Sequence, residues 1–114
     1  MSKSKARGTA WETEIVNTLR SKWWPNAERR TLSGAADKGD INLHPDVVIE
    51  AKDHGTLRFS QWISEAETER VNAGASIGVV WAKRRGKASA GDAYVVMTGE
   101  QFIELLKRSG LGGK

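Results

Sequence analysis

The sequence predicts a mixed α/β fold in which helices flank a β-sheet. Apolar residues recur with helical spacing in three segments, and they alternate or cluster with strand spacing in five others. These segments follow one another in the order α-β-β-β-α-β-β-α. Because single helices separate the groups of strands, we expect a mixed sheet with helices on its faces.

Length and composition limit the architecture and the chemistry. We predict that residues 1–114 form a single domain, because 114 residues suffice for one core and the chain shows neither a linker nor a repeat. The absence of cysteine excludes a disulfide framework, a thiolate zinc site and a cysteine nucleophile. No apolar run approaches the roughly 20 residues of a membrane span. We therefore expect a cytoplasmic protein that does not enter membranes.

The first helix is predicted to run from Thr9 to about Lys22, after a flexible basic arm over residues 1–8. Thr9 is placed to cap it, with Glu12 three residues later completing a capping box. Pro25 ends the helical pattern. The two residues that precede this proline are interpreted as core or dimer-interface side chains, with base stacking as the alternative; they are Trp23 and Trp24.

The remaining elements are predicted from periodicity and from turn residues. Helix stripes expected to be buried comprise Trp62, Ile63, Ala66 and Val71, and then Phe102, Ile103, Leu105 and Leu106. The segments in chain order are a strand over 27–31, a small-residue loop over 32–39, a helix over 61–73 between Ser60 as cap and Gly74, buried strands over 76–82 and 92–97, a helix from Thr98 or Gly99, and a frayed tail over 110–114.

Residues 39–52 are predicted to form a β-hairpin with its turn at Pro45. One face carries apolar residues and is expected to join the core, whereas the other carries Asp40, Glu50 and Lys52. The turn sets the cross-strand pairs, which are 43 with 47, 41 with 49, and Asp40 with Glu50.

Asp40 and Glu50 are candidate metal ligands. Paired side chains of this kind have Cβ atoms roughly 4.5–5.5 Å apart, so the two carboxylates repel and raise one another's pKa. A divalent cation resolves the repulsion, and oxygen ligands favour Mg²⁺ or Mn²⁺. The alternative is that this polar face is only solvated.

Basic residues are concentrated in three clusters in a chain of formal net charge +4. Beside a candidate metal site, such clusters favour contact with nucleic-acid phosphates. The alternative for each cluster is a role in solubility. The clusters are Lys3-Lys5-Arg7, Arg29-Arg30 and Lys83-Arg84-Arg85-Lys87.

Asp40 followed by Glu50-Ala51-Lys52 resembles the signature of the PD-(D/E)XK nuclease superfamily. The literal Pro45-Asp46 pair is not the matching one. Asp46 precedes Glu50 by four residues on one strand, about 13 Å away, which is too far to share an ion. The resemblance implies a restriction-endonuclease-like fold, for which the predicted order of elements is the expected one.

Within that superfamily the chain is most similar to the archaeal-type Holliday junction resolvases, which also occur in phages. Arg7-Gly8 followed by Glu12 matches the start of their first helix, with simple helix capping as the alternative role of Glu12. The resemblance implies Glu12, Asp40, Glu50 and Lys52 as catalytic residues. The implied metal ligands are Asp40, Glu50, the Ala51 carbonyl and Glu12. The DNA-binding candidates are Lys5, Arg7, Arg29, Arg30, Ser33, Lys38, Lys83, Arg84, Arg85 and Lys87.

The implied activity is Mg²⁺-dependent hydrolysis of phosphodiesters in four-way DNA junctions, with Mn²⁺ as a substitute. This activity belongs to DNA recombination and repair in the cytoplasm of a prokaryotic or phage-infected cell. A junction needs two symmetric cuts, so a homodimer with two sites is expected. The alternatives are another endonuclease of this superfamily (nicking, restriction-like or repair) and a DNA-binding module without catalysis.

Overall fold

The computed structural model describes residues 3–30 and 39–111, and it confirms the predicted fold class and order of elements. Within these residues no helix has the length and apolar character needed to cross a membrane. The elements are α1 (Lys3–Lys22), β1 (Glu28–Arg29), β2 (Ile41–His44), β3 (Val47–Lys52), α2 (Phe59–Ala73), β4 (Ile77–Ala82), a 3₁₀ turn (Ala90–Asp92), β5 (Tyr94–Val96) and α3 (Gly99–Arg108).

The five strands form one mixed sheet in the spatial order β1-β2-β3-β4-β5. Strands β3 and β4 are parallel because α2 connects them as a crossover, whereas the other neighbours are antiparallel. The carboxyl ends of β3 and β4 therefore lie at the same edge of the sheet. This edge carries the polar residues at the end of β3, Glu50 and Lys52.

Helix α1 covers one face of the sheet and forms the larger apolar core. Ile15 from α1 is fully buried there with Ile41 and Ile49 of the hairpin. The predicted core face of the hairpin is confirmed, since its remaining apolar residues pack against the same cluster. These residues are Leu43, Val47 and Ala51.

Helix α2 covers the opposite face with a smaller apolar cluster. Trp62 and Ala66 are buried against Val80 and Ala82, which alternate along β4 with the residues that face α1. The left-handed conformation of Gly74 ends α2 as predicted. Val71, in contrast, is exposed and not a core residue.

Two predicted helix starts are wrong. Helix α1 begins at Lys3, so the described part of the predicted arm is helical and Thr9 is an interior residue whose carbonyl accepts a hydrogen bond from Thr13. The residues before Thr9 include good helix formers, and Gly8 lowers helix stability by only about 1 kcal/mol. Helix α2 begins at Phe59, one residue before the predicted cap Ser60.

Several residues expected in the core lie at the surface. Trp23, expected as a core or dimer-interface residue, is 78% exposed just after the end of α1 and is not part of the core. Strand β5 is an edge strand with two of its three residues exposed. The α3 side chains Phe102, Ile103 and Leu105 are also exposed. Periodicity identified these apolar residues correctly but not the direction in which they point.

Candidate active site

The β2–β3 hairpin places Asp40 beside Glu50. Ile41 pairs with Ile49 as predicted, but a bulge then shifts the register so that His44 pairs with Val47, and the predicted pairing of residues 43 and 47 is wrong. Before the bulge, the Asp40 amide donates to the carbonyl of Ile49 at 2.9 Å. On this side of the bulge, Asp40 lies near enough to Glu50 to lower the pKa of that carboxyl group.

The carboxylate of Asp40 is held by the main chain. Its Oδ2 accepts a hydrogen bond from the amide of Ala51 at 2.9 Å. Gly39 precedes it with φ +95°, and a Cβ there would lie 2.9 Å from Val48 Cγ1 and 3.0 Å from the Ile49 carbonyl oxygen. Only glycine fits this backbone, so the approach of the chain to Asp40 depends on Gly39.

Glu50 is a buried carboxyl group in an acidic environment. It is 7% exposed, and its Oε2 accepts no hydrogen bond from a described residue. Burial and the neighbouring carboxyl of Glu69 raise the pKa of Glu50 to about 8, against the opposing effects of Asp40 and Lys52. Such a group holds a proton near neutral pH unless a cation replaces that proton.

Lys52 lies two residues beyond Glu50 and forms an ion pair with Glu65 of α2, at 2.9 Å between Nζ and Oε2. Burial disfavours the ammonium, but Glu65 and the carboxylates of Glu50 and Asp40 outweigh that effect and raise the pKa of Lys52. Lys52 is therefore a cation with a fixed position at the carboxyl end of β3.

Glu12 approaches the same group of carboxylates from α1. It forms a 2.9 Å ion pair with Arg29 on β1. Burial raises the pKa of Glu12, Arg29 lowers it, and Asp40 is near enough to raise it further. The alternative capping role is wrong, because α1 begins nine residues earlier at Lys3.

Glu65 and Glu69 were not identified from the sequence as site residues. Both lie on the face of α2 that covers β3, where Glu69 is 7% exposed. Their spacing contains the signal that would have found them: residues 62, 65, 66 and 69 fall on one helical face. Two of these four are buried apolar residues, so acidic residues at the other two are unusual.

The oxygen atoms around Asp40 and Glu50 fit a hard divalent cation. Among residues 3–30 and 39–111 no group of three or more His, Cys, Asp or Glu side chains is arranged to hold a metal ion. The candidate donor set is therefore two carboxylates and a main-chain carbonyl. The amide and the carbonyl of one strand residue point to the same side, so the Ala51 carbonyl faces the Asp40 side of β3. Buried Glu50 Oε2 supplies a donor atom.

A basic cleft of about 700 Å³ lies beyond the carboxyl ends of β3 and β4, and its lining does not include Asp40, Glu50 or Lys52. It begins directly after the two parallel strands, where the Lys83 amide donates to the Lys52 carbonyl at 2.8 Å. The structure brings Arg7 of α1 together with the loop after β4, although these residues are far apart in the sequence. The charged residues that line the cleft are Arg7, Asp53, Lys83, Arg84, Arg85 and Lys87.

The other predicted DNA-binding residues lie elsewhere. Arg29 is the last residue of β1 and Arg30 follows it, and the Arg30 amide donates to the Asp40 carbonyl at 2.8 Å. Lys5 is on the exposed surface of α1, two residues before Arg7. Ser33 and Lys38 fall outside the described residues. The basic groups thus lie on both sides of the carboxylates, with the larger set in the cleft.

Asp46 has a structural position. Its Oδ1 accepts from the Ser76 amide at 2.8 Å, and its Oδ2 pairs with Arg108 of α3. Hydrogen bonds from Ser76 and the guanidinium of Arg108 lower the pKa of Asp46. This carboxylate links the starts of β3 and β4 to α3, whereas Glu50 lies further along β3. Asp46 is therefore not placed to share a metal ion with Glu50.

Comparison with known proteins adds no relative. No protein-family model matches this chain, and neither the curated proteins nor the solved structures include a match to it. Function is therefore inferred from the arrangement of Asp40, Glu50 and Lys52, from the carboxylates that α1 and α2 add, and from the basic cleft.

Proposed function

We propose that this protein is a Mg²⁺-dependent endonuclease that cleaves branched DNA, with the four-way junction as its substrate. The observation that carries the proposal is the meeting of Asp40 and Glu50 across two strands, with Lys52 two residues beyond. Two carboxylates and a lysine at the end of a strand from which the chain continues into a basic cleft are suited to phosphodiester hydrolysis. Recombination and repair in the cytoplasm of a prokaryotic or phage-infected cell are the corresponding role.

The cleft supports a polyanionic substrate. Five of its six charged lining residues other than histidine are basic, with Asp53 the acidic one. A row of lysine and arginine side chains binds nucleic acid mainly through its phosphates, without reading the sequence. Selection by the shape of the DNA rather than by its bases is the behaviour expected of a junction enzyme.

Each group near the carboxylates has a chemical task in this proposal. Asp40, Glu50 and the Ala51 carbonyl would hold Mg²⁺, whereas Glu12, also expected as a ligand, is paired with Arg29 and would act beside the metal site. When bound, Mg²⁺ lowers the pKa of water and neutralises charge on the phosphate. Lys52 donates hydrogen bonds to the attacking water or to the oxygen on which negative charge develops. Glu65 orients Lys52 through their ion pair.

The substrate also implies the assembly. A four-way junction is nearly two-fold symmetric and must be cut at two symmetric positions, whereas each chain carries one set of these residues. A homodimer supplies two sites with matching symmetry. We therefore include a homodimer in the proposal.

The test is cleavage of a synthetic four-way junction, compared with duplex and flap DNA of the same sequence. We expect paired cuts in opposite strands of the junction with Mg²⁺ or Mn²⁺ and none with EDTA, mapped on all four strands. Preferential cutting of duplex or flap DNA would assign the chain to another kind of endonuclease. Metal-independent binding without cleavage would assign it to the non-catalytic DNA-binding modules.

The role of the cleft is measured separately, through the salt dependence of binding. Arg85→Ala removes a cleft charge, and Lys22→Ala removes a charge at the exposed end of α1 as the matched control. Each lost phosphate contact makes the slope of log K against log salt shallower by about 0.9. We expect that change for Arg85→Ala alone. Equal slopes in the two variants would exclude the loop as a phosphate contact.

A further inference from the structure

Helix α3 packs with its polar side inward. Gln101 is buried, and its Oε1 accepts a hydrogen bond from the Gly78 amide at 2.7 Å. Arg108 pairs with Asp46 and with Glu104 on the same inner side. A helix at the surface of a domain normally buries its apolar stripe instead. The orientation of α3 is therefore reversed.

The apolar side of α3 is consequently left in solvent. Phe102 is 51% exposed, Ile103 is 50% exposed and Leu105 is 39% exposed. Within residues 3–30 and 39–111 these side chains belong to neither of the two core clusters. Large apolar residues gathered on one exposed helix face are typical of protein–protein contact surfaces.

The charges on α3 are arranged so that the helix complements a reversed copy of itself. Its first turn carries Glu100 and its last turn carries Lys107. These two residues are seven apart, so they lie on the same flank of the helix. Both are exposed, and neither forms an ion pair with another residue in the described part of the chain.

The geometry distinguishes two ways of pairing this helix with a second copy. In an antiparallel pair related by a two-fold axis, Glu100 of each copy lies opposite Lys107 of the other. In a parallel pair, the flanks that carry these two residues lie on opposite sides of the contact, so neither residue meets an opposite charge from this set. The antiparallel arrangement also opposes the two helix dipoles, which is favourable. The surface is thus complementary to itself in one orientation.

We propose that a second copy of this chain covers the apolar face of α3, forming an antiparallel α3–α3 contact about a two-fold axis. This contact would be the interface of the homodimer, and it rests on the proposed function only because two symmetric cuts require two active sites. The contact leaves the cleft accessible. Arg108 binds at the start of β3 and Lys52 lies at its end, six residues or about 20 Å away.

The test is the oligomeric state in sedimentation equilibrium, without DNA and at low salt. We expect a wild-type dimer and a monomer for Ile103→Glu, and the monomer should keep the circular dichroism of the folded chain because that side chain contributes to neither core cluster. Trp23→Glu is the matched control at an exposed aromatic outside α3. A wild-type chain that stays monomeric at about 100 μM, or a dimer lost in Trp23→Glu but kept in Ile103→Glu, would overturn the proposal.

Charge reversal tests the orientation. Glu100→Lys and Lys107→Glu each create two like-charge pairs across the antiparallel contact, so each variant alone should dimerise about tenfold more weakly. Mixing the two variants restores opposite charges at both pairs and should recover the wild-type affinity. Failure of the mixture to recover would exclude the antiparallel contact. Because DNA is absent, a dimer that does not cleave junctions would refute the nuclease alone.

Discussion

The two faces of the sheet are built differently. Under α1 lies the larger apolar core, and none of the buried polar residues in the described part of the chain belongs to it. Under α2 lies a smaller apolar cluster together with two buried carboxyl groups, Glu50 and Glu69, and the Lys52–Glu65 ion pair. Burying ionisable groups lowers stability unless they are paired or bind a cation. The α1 face therefore stabilises the fold, and the α2 face holds the groups suited to chemistry.

The largest effect expected from this comparison is the loss of cleavage in Asp40→Asn and Glu50→Gln. Removing a ligand's negative charge should lower the cleavage rate on the order of a thousandfold or more, because it removes several kcal/mol of metal-dependent stabilisation. Junction binding should remain, since neither residue lines the cleft in which we propose that DNA binds. Asp46→Asn is the matched control and should keep its activity. Near wild-type cleavage by either site variant would disprove the assignment.

Ile15→Ala should affect stability alone. Ile15 is fully buried on the α1 face, so its truncation should lower the free energy of unfolding by about 2–5 kcal/mol. The measurement is urea denaturation, combined with the cleavage rate per folded molecule. A specific loss of cleavage in the folded fraction would show that the two faces are not separable.

Glu65→Gln should do the reverse. This substitution removes the ionic partner that orients Lys52. We therefore expect kcat to fall by about 10- to 100-fold with little change in KM, which is the usual effect of removing a group that orients a catalytic residue. Glu67→Gln is the control, because Glu67 pairs with Arg70 instead. Equal kinetics in the two variants would remove Glu65 from the site.

The smallest effect concerns pH and stability without metal. The pKa of Glu50 is raised to about 8 in the folded state. The contribution of Glu50 to the free energy of unfolding is therefore complete below the pKa of the unfolded chain, and it is lost as pH rises through about 8. Glu50→Gln should remove this loss. The variant should gain on the order of 1–3 kcal/mol relative to wild type between pH 5 and pH 9. Thermal unfolding in EDTA measures it, and a constant difference would contradict the buried-carboxyl assignment.

The hairpin shows what could be predicted from the sequence. Strand alternation predicts the Ile41–Ile49 pair and the proximity of Asp40 to Glu50, because both depend on local register. The bulge near His44 was missed, since a turn residue does not specify how many residues oppose one another. Glu65 and Glu69 were missed for a different reason. Their contacts with β3 depend on the placement of α2 along the strand, which no local pattern encodes.

Helix α3 shows a second limit. The spacing of Phe102, Ile103 and Leu106 predicts one apolar face, and the helix begins after Thr98 as expected. Periodicity does not determine whether that face meets the chain's own core or another surface. Here the Gln101–Gly78 hydrogen bond and the Arg108–Asp46 ion pair set the orientation. These polar tertiary contacts therefore determine which face of α3 is buried, and the spacing of apolar residues does not.

Gly39 has a consequence for how such a protein evolves. A methyl group at this position would collide with Val48 and with the main chain of Ile49, so the backbone that leads into Asp40 has one allowed conformation. Replacements at position 39 should be rejected in any selection for folded, active variants. The variation allowed at this one position is thus set by the packing of β3 rather than by any chemistry of its own side chain.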